Sequence, residues 1–142
     1  MKKILIINGP NINLLGKREP AIYGNFSLQD IENKVYSLAK QLVVEVEFFQ
    51  SNCEGKIVDK IQGAAKEISS IIINPAAFTH TSIAIRDALC ALNLPIIEVH
   101  VSNIYAREEF RHKSFVAPVA VGQITGLGVD GYLFALQKLS SL

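Results

Sequence analysis

The chain is short of the residues that would staple it together or hold a metal. Only two cysteines, Cys53 and Cys90, occur in 142 residues, and they form no C-x-x-C pair. That argues against a disulfide scaffold and against a structural zinc site. The three histidines, His80, His100 and His112, lie at no metal-ligand spacing, so no metal centre is expected. Tryptophan is absent, and neither sign of charge is in excess: 14 basic and 13 acidic residues leave a formal charge of +1. A nucleic-acid-binding surface needs a basic excess on one face and is not expected. No apolar run approaches membrane-spanning length. The run from Ile4 to Ile7, behind Met1-Lys2-Lys3, is too short for a signal peptide. A cytoplasmic protein is therefore expected, in which the sequon Asn25-Phe26-Ser27 has no consequence. There is no P-loop, no G-x-S-x-G elbow and no H-E-x-x-H helix.

What is present is a well-patterned globular chain. At 49% hydrophobic and 19% charged, residues 1–142 fit one domain with a full core. Five short, continuous apolar runs read as buried strands: Lys3–Asn8, Val43–Gln50, Ser70–Asn74, Pro95–His100 and Pro118–Ile124. Between them lie helical spacings. Ser27-Leu28-Gln29-Asp30 has capping-box form, followed by Leu28, Ile31, Val35, Leu38 and Leu42. Ile57, Val58, Ile61, Ala65 and Ile68 mark a second helix. A third, capped by Thr79 or Thr81, carries Ile85, Leu89 and Leu92, with Cys90 as a small core residue. The last carries Leu133, Leu136 and Leu139. Alternating strand and helix predict an α/β, doubly wound, five-stranded parallel sheet of flavodoxin-like order 2-1-3-4-5.

Parallel strands gather their carboxyl ends on one edge, where such sheets bind ligands. Here the ends read Asn8-Gly9-Pro10-Asn11, Gln50-Ser51-Asn52, Asn74-Pro75-Ala76-Ala77 and His100-Val101-Ser102-Asn103. Each Asn alone is a turn signal. Together they suggest a polar pocket, with His100 able to move protons near neutral pH. Arg107 and Arg111 come next along the chain and suit a carboxylate or phosphate. The connection from Leu14 to Gly24 is long for a strand-to-helix loop. It carries Arg18 and Tyr23 and reads as a lid. His80 and Asp87, seven apart, share a helix face distinct from that of Ile85 and Leu89. Gly126-Leu127-Gly128-Val129-Asp130-Gly131 fits G-x-G-x-x-G, but no second strand or ribose-binding acid comes after it. Those glycines read as a tight turn and close packing ahead of the final helix.

The inventory is Asn, His, Arg and Tyr, with no activated nucleophile and no cofactor fingerprint. It suits proton abstraction beside a carbonyl followed by elimination, which needs a base, an acid and a hold on an enolate. Carboxylates are scarce in these motifs, so Tyr23 is the candidate base. An ordinary phenol titrates near pH 10, so ionising one at pH 7 costs about 4 kcal/mol. One or two guanidinium groups in a shielded site can supply that, and Arg18 is on the same loop.

The run Gly9-Pro10-Asn11-Ile12-Asn13-Leu14-Leu15-Gly16-Lys17-Arg18-Glu19-Pro20, with Tyr23-Gly24, resembles the opening of type II 3-dehydroquinate dehydratases. So do Gln50-Ser51-Asn52, Glu54-Gly55, Asn74 through Ser82, Arg86-Asp87-Ala88-Leu89, and Glu98 through Arg111. The resemblance spans essentially the whole chain in order. It implies a flavodoxin-like fold, a homo-oligomer built as a dodecamer of four trimers, and no cofactor. It implies dehydration of 3-dehydroquinate to 3-dehydroshikimate by anti elimination through an enolate, in the shikimate pathway. On the matching positions, it makes Tyr23 the base, Arg18 the group that keeps that tyrosine ionised, and His100 the acid. Asn11 would hold a water against the enolate oxygen, and Glu98 would orient His100. Asn74, His80 and Arg111 would bind substrate hydroxyls and carboxylate, with the backbone amides of Val101 and Ser102. Arg107 would add positive charge, and Asp87 would reach the adjacent subunit's site.

Four positions depart from what is commonest in that family: Ala76 for Gly, Phe78 for Tyr, and Tyr105 and Gln62 for His. They bear on substrate affinity and lid packing, not on the reaction. A flavodoxin-like binding module for a small anion or flavin is the alternative from another class. The first strand-to-helix loop lacks the phosphate-cradling Ser/Thr-Gly pattern such a module needs.

Overall fold

The isoleucine-rich runs form strands because β-branched side chains pack well on a pleated surface. The computed structural model describes all 142 residues. Five strands, β1 Lys3–Asn8, β2 Glu45–Gln50, β3 Ser70–Asn74, β4 Ile96–His100 and β5 Gly122–Thr125, pair in parallel in the order 2-1-3-4-5. Alternation along each strand feeds two cores. Ile4 and Ile6 of β1, with Ile72 and Ile97, face the helices α2 (Leu28–Leu42) and α5 (Asp130–Ser140). Leu5 and Ile7, with Ile71, Ile73 and Ile96, face α3 (Glu54–Gly63) and α4 (Ile83–Leu92). The first loop adds the short helix α1 (Pro20–Tyr23), reached through left-handed Glu19.

Several boundaries differ from the sequence expectation, each for a local reason. The capping box at Ser27 and Asp30 forms with both bonds made. Val43, expected in a strand, instead closes α2 in the left-handed conformation. The second helix stops at Gly63, and a 3-10 turn over Ala64–Lys66 succeeds it. The tighter winding of that turn brings Ala64 inward and leaves Ala65 exposed. Ser82 caps α4 by accepting from the Ile85 amide, not Thr79 or Thr81. Cys90 comes one residue after buried Leu89, about 100° round the helix, and is exposed rather than core. No helix joins β4 to β5. Three 3-10 turns, Ile104–Ala106, Glu109–Arg111 and Ala117–Val119, fill that connection. Pro118 lies in the last turn; it has no N–H to give a ladder, and β5 begins only at Gly122.

Close glycine contacts set the two ends of the polar edge. Gly126, at φ +85°, lies so close to Asn103 that a Cβ would come within 2.8 Å of the Asn103 Cβ, and a Cβ on Gly131 would meet Val99 and Ile124. The G-x-G-x-x-G stretch is thus a turn and a packing contact. At the other end, Gly9 leaves β1 with its N–H donating to the Asn74 carbonyl at 2.8 Å. A Cβ there would sit 2.4 Å from the Pro75 carbonyl oxygen, a backbone atom. Gly9→Ala is therefore expected to cost about 1–3 kcal/mol through overpacking, read as a lower urea midpoint. An unchanged midpoint would show that this contact relaxes freely.

Candidate active site

The order 2-1-3-4-5 reverses direction at β1, so a crevice opens beyond the ends of β1 and β3. A cavity of about 100 Å³, open to solvent on one side, lies there. Its polar wall is Asn11, Arg18, Tyr23, Asn74, His100, Ser102, Arg107 and Arg111, and Ile12, Leu15, Val101 and Ile104 supply apolar surface. Nine of the residues marked in the sequence therefore converge on one space, from four separate segments.

The strand ends divide into two jobs. Asn11 is held left-handed at φ 69°, and its N–H donates to the Asn52 side chain at 3.0 Å. Gln50 braces the same loop by donating to the Gly9 carbonyl and to Asn13 and Asn52. Asn74 lines the cavity and is itself oriented on both sides. Its amide donates to the Tyr132 hydroxyl at 2.9 Å, and its oxygen accepts from the Ala76 N–H at 3.1 Å. Tyr132 in turn donates to Asn8 at 2.6 Å. Burial holds the Tyr132 phenol far above its ordinary value, so it remains a neutral strut. The amide nitrogen of Asn8 is buried with no partner.

The lid brings Tyr23 against two guanidinium groups. Arg107 Nη1 donates to the Tyr23 hydroxyl oxygen at 2.9 Å. Arg18 lies over the Tyr23 ring, its Cζ 5.1 Å from the centroid, with Arg107 at 5.3 Å. Arg107 also reaches Ser102 Oγ, and Arg111 is held by Glu108 at 2.7 Å. The N–H groups of Val101 and Ser102 have no acceptor within the chain, although both residues are buried beside the cavity. Two unpaired amides next to two arginines form a fitting cradle for a carboxylate.

His100 rests on a carboxylate with no solvent access. Its Nε2 lies 2.5 Å from Glu98 Oε2, and Glu98 is 0% exposed. Thr79 donates to the same carboxylate at 2.5 Å, Ser114 at 2.8 Å and Gln123 at 3.1 Å. Desolvation is the largest single influence on Glu98 and pushes its carboxyl up. The hydrogen bond and charge of His100, then Thr79 and Ser114, outweigh it, so Glu98 lies below the ordinary carboxylate value. Nδ1 of His100 makes no bond within the chain and is the nitrogen left for a ligand.

Three marked residues stand apart from the cavity lining: Glu98, buried behind His100, and His80 and Asp87. His80 stacks on His100 at 6.4 Å between centroids, and its Nδ1 bonds the Lys113 carbonyl at 2.7 Å. Burial pushes its imidazole down, opposed by that carbonyl and assisted by the positive charges of His100 and Arg111. Asp87 is not near it on a shared helix face, because His80 sits in a 3-10 turn ahead of the Ser82 cap. Asp87 is exposed on α4 and lines a shallow groove with Val58 and Gln62 of α3. Ser114, Gln123 and Tyr132 escaped the sequence reading, as did Thr79 in its observed role. Neither motif nor spacing links them to Glu98 or Asn74; only Tyr132, the lone aromatic directly behind the glycine turn, offered a cue.

Comparison with known proteins agrees in every direction. The model of the family described as dehydroquinase class II matches residues 2–140. A 3-dehydroquinate dehydratase of Endomicrobium trichonymphae is 70% identical over 142 residues, covering 100% of this chain and 99% of that protein. One from Halothermothrix orenii is 54% identical, covering 100% and 96%. The crystal structure of a type II dehydroquinase from Butyrivibrio crossotus superposes with a TM-score of 0.95 at 51% identity, covering 97% of each chain.

The buried carboxylate sets how stability responds to acid. Because its folded value lies below the ordinary 4.5, the contribution of Glu98 is complete above that pH and drains away as pH falls through the folded value. Glu98→Gln is expected to flatten this part of the acid limb. It should also cost about 3–5 kcal/mol at pH 7, as for breaking a buried pair. Denaturant titrations across pH 2–7 check it, and a variant whose acid limb parallels the wild type would remove Glu98 from this role.

Proposed function

The chain belongs to the class II dehydroquinase family, and on that footing we propose that it is a lyase converting 3-dehydroquinate to 3-dehydroshikimate in the shikimate pathway. The observation that carries the reading is the pairing across one cavity of an arginine-bound tyrosine with a carboxylate-backed histidine.

The elimination runs through an enolate. Tyr23, as phenolate, takes the proton from C2; the C–H electron pair forms the C2–C3 double bond and the carbonyl π pair moves onto the C3 oxygen. Arg107 at the phenol oxygen and Arg18 over the ring place two positive charges beside the reacting group. A water held by Asn11 supports the enolate oxygen. The enolate then collapses: the carbonyl re-forms, the double bond moves to C1–C2, and the C1–oxygen bond breaks. His100 delivers the proton that lets this oxygen leave as water, and Glu98 orients His100 and carries the opposite charge. The unpaired Val101 and Ser102 amides and Arg111 hold the substrate carboxylate, while Asn74 and His80 bind its hydroxyls. Each step moves only protons and the substrate's own electron pairs, so the scheme uses no cofactor.

Residues 1–142 act as one catalytic domain in this reading, working in the cytoplasm; no helix is long and apolar enough to cross a membrane. The assembly is a dodecamer of four trimers. The exposed face of α3 and α4 supports an oligomer, with Ile83 56% exposed beside the groove at Asp87. In the assembly Asp87 reaches a neighbour's site.

Adding 3-dehydroquinate to the purified protein is expected to produce the ultraviolet absorbance of a conjugated enone. Tyr23→Phe and Arg18→Ala should lower kcat by about a thousandfold or more with folding retained. A Tyr23→Phe enzyme of near-native rate would dismiss Tyr23 as the base. Light scattering is expected to give twelve chains, and a monomer would remove the role of Asp87.

A further inference from the structure

Glu98 and Gln123 are register partners on the neighbouring strands β4 and β5, so their side chains project from the same face of the sheet. The Gln123 amide nitrogen lies 3.1 Å from Glu98 Oε1. The other end of that amide, Oε1, accepts from the Tyr105 hydroxyl at 2.8 Å. A carboxylate and an amide oxygen can only accept, so the polarity of the chain is set: Tyr105 O–H to Gln123 C=O, and Gln123 N–H to Glu98. Ser114 is the other donor to Oε1, while His100 and Thr79 both serve Oε2. Tyr105 is half exposed and outside the cavity lining.

We infer that Tyr105 and Gln123 form a positioning arm that tunes how readily the Glu98–His100 pair releases its proton. The inference rests on the reading of His100 as the acid. Gln123 presents the positive end of its amide dipole to the pair, which opposes retention of a proton there. Tyr105 prevents the amide from turning its oxygen toward the carboxylate, and hydrogen bonds in series polarise one another. Other groups facing the pair are His80, stacked on His100, and across the cavity Tyr23, Arg18, Arg107 and Arg111. His112 lies near the Tyr105 ring at 6.0 Å. None of these bonds Gln123, and substitutions at Gln123 and Tyr105 leave all of them in place.

Gln123→Met keeps the shape and removes the donor. The alkaline limb of its kcat–pH profile is expected to move up by about 0.5–1 unit, with kcat down by about 2- to 10-fold and KM within about twofold. Tyr105→Phe, a change at the surface that spares the core, should shift the limb the same way by less. The double variant should shift no further than Gln123→Met alone, because both substitutions break one arm. The His100 ring resonance, followed by NMR in the resting protein, should show the same ordering. This titration tests the arm without turnover, while wild-type conversion of 3-dehydroquinate tests the parent reading separately. Unshifted titrations, additive shifts in the double variant, or an effect confined to KM would each overturn the inference.

Discussion

The site is organised around one buried negative charge. A carboxylate removed from water costs several kcal/mol unless donors replace its hydration. Glu98 recruits such donors from four segments: His100 on its own strand, Thr79 after β3, Ser114 in the turns after β4, and Gln123 on β5. Meeting that requirement ties the third, fourth and fifth strands together at their functional ends. It also leaves His100 with one ring nitrogen anchored and the other available. The strength of the anchor and the orientation of the imidazole therefore have one cause.

The opposite wall solves a similar problem with neutral groups. Asn74 has to present polar atoms to a ligand from the end of a fully buried strand. Tyr132, reaching across from α5, accepts from the Asn74 amide and is itself fixed by donating to Asn8. The close approach of Gly131 to β4 and β5 lets α5 sit near enough for that hydroxyl to arrive. The glycine-rich turn that mimics a dinucleotide motif is thus part of the scaffold for the site. Between these two rigid walls lies the lid, whose tyrosine is fixed by a hydrogen bond from Arg107 rather than by a strand. The proposed base is thus carried on a loop and the proposed acid at a strand end.

Most of this architecture was legible in residue order. The periodicity of isoleucines and the capping box at Ser27 specify the strands and the first long helix by local physics alone. Strand alternation with helices then limits the topology, and the strand ends identify which edge is polar. His100, Tyr23, Arg18 and Asn11 stand out because their residue types are unusual at such places. The sequence favoured Arg18, on the same loop, as the guanidinium beside the phenol, whereas Arg107 reaches the phenol oxygen and Arg18 lies over the ring. Which guanidinium arrives depends on the path of the chain after β4, where three short turns replace the helix that simple alternation suggests. It also placed His80 and Asp87 on one helix face, because a 3-10 turn ahead of a helix has no signature in spacing, and it placed Cys90 in the core although it lies one residue beyond inward-facing Leu89.

By itself, then, the amino-acid order determined the sheet, its polar edge and the acid–base inventory, since each arises from short-range periodicity and side-chain chemistry. Tertiary structure decided the partners. Thr79, Ser114 and Gln123 are ordinary polar residues until the fold buries Glu98 among them, and Asn8, Asn74 and Tyr132 meet only because the last helix crosses the first and third strands. Hydrogen bonds such as that of Tyr132 to Asn8, 124 positions apart, are set by where backbones pass each other in space. That is a property of packing, and no local pattern encodes it.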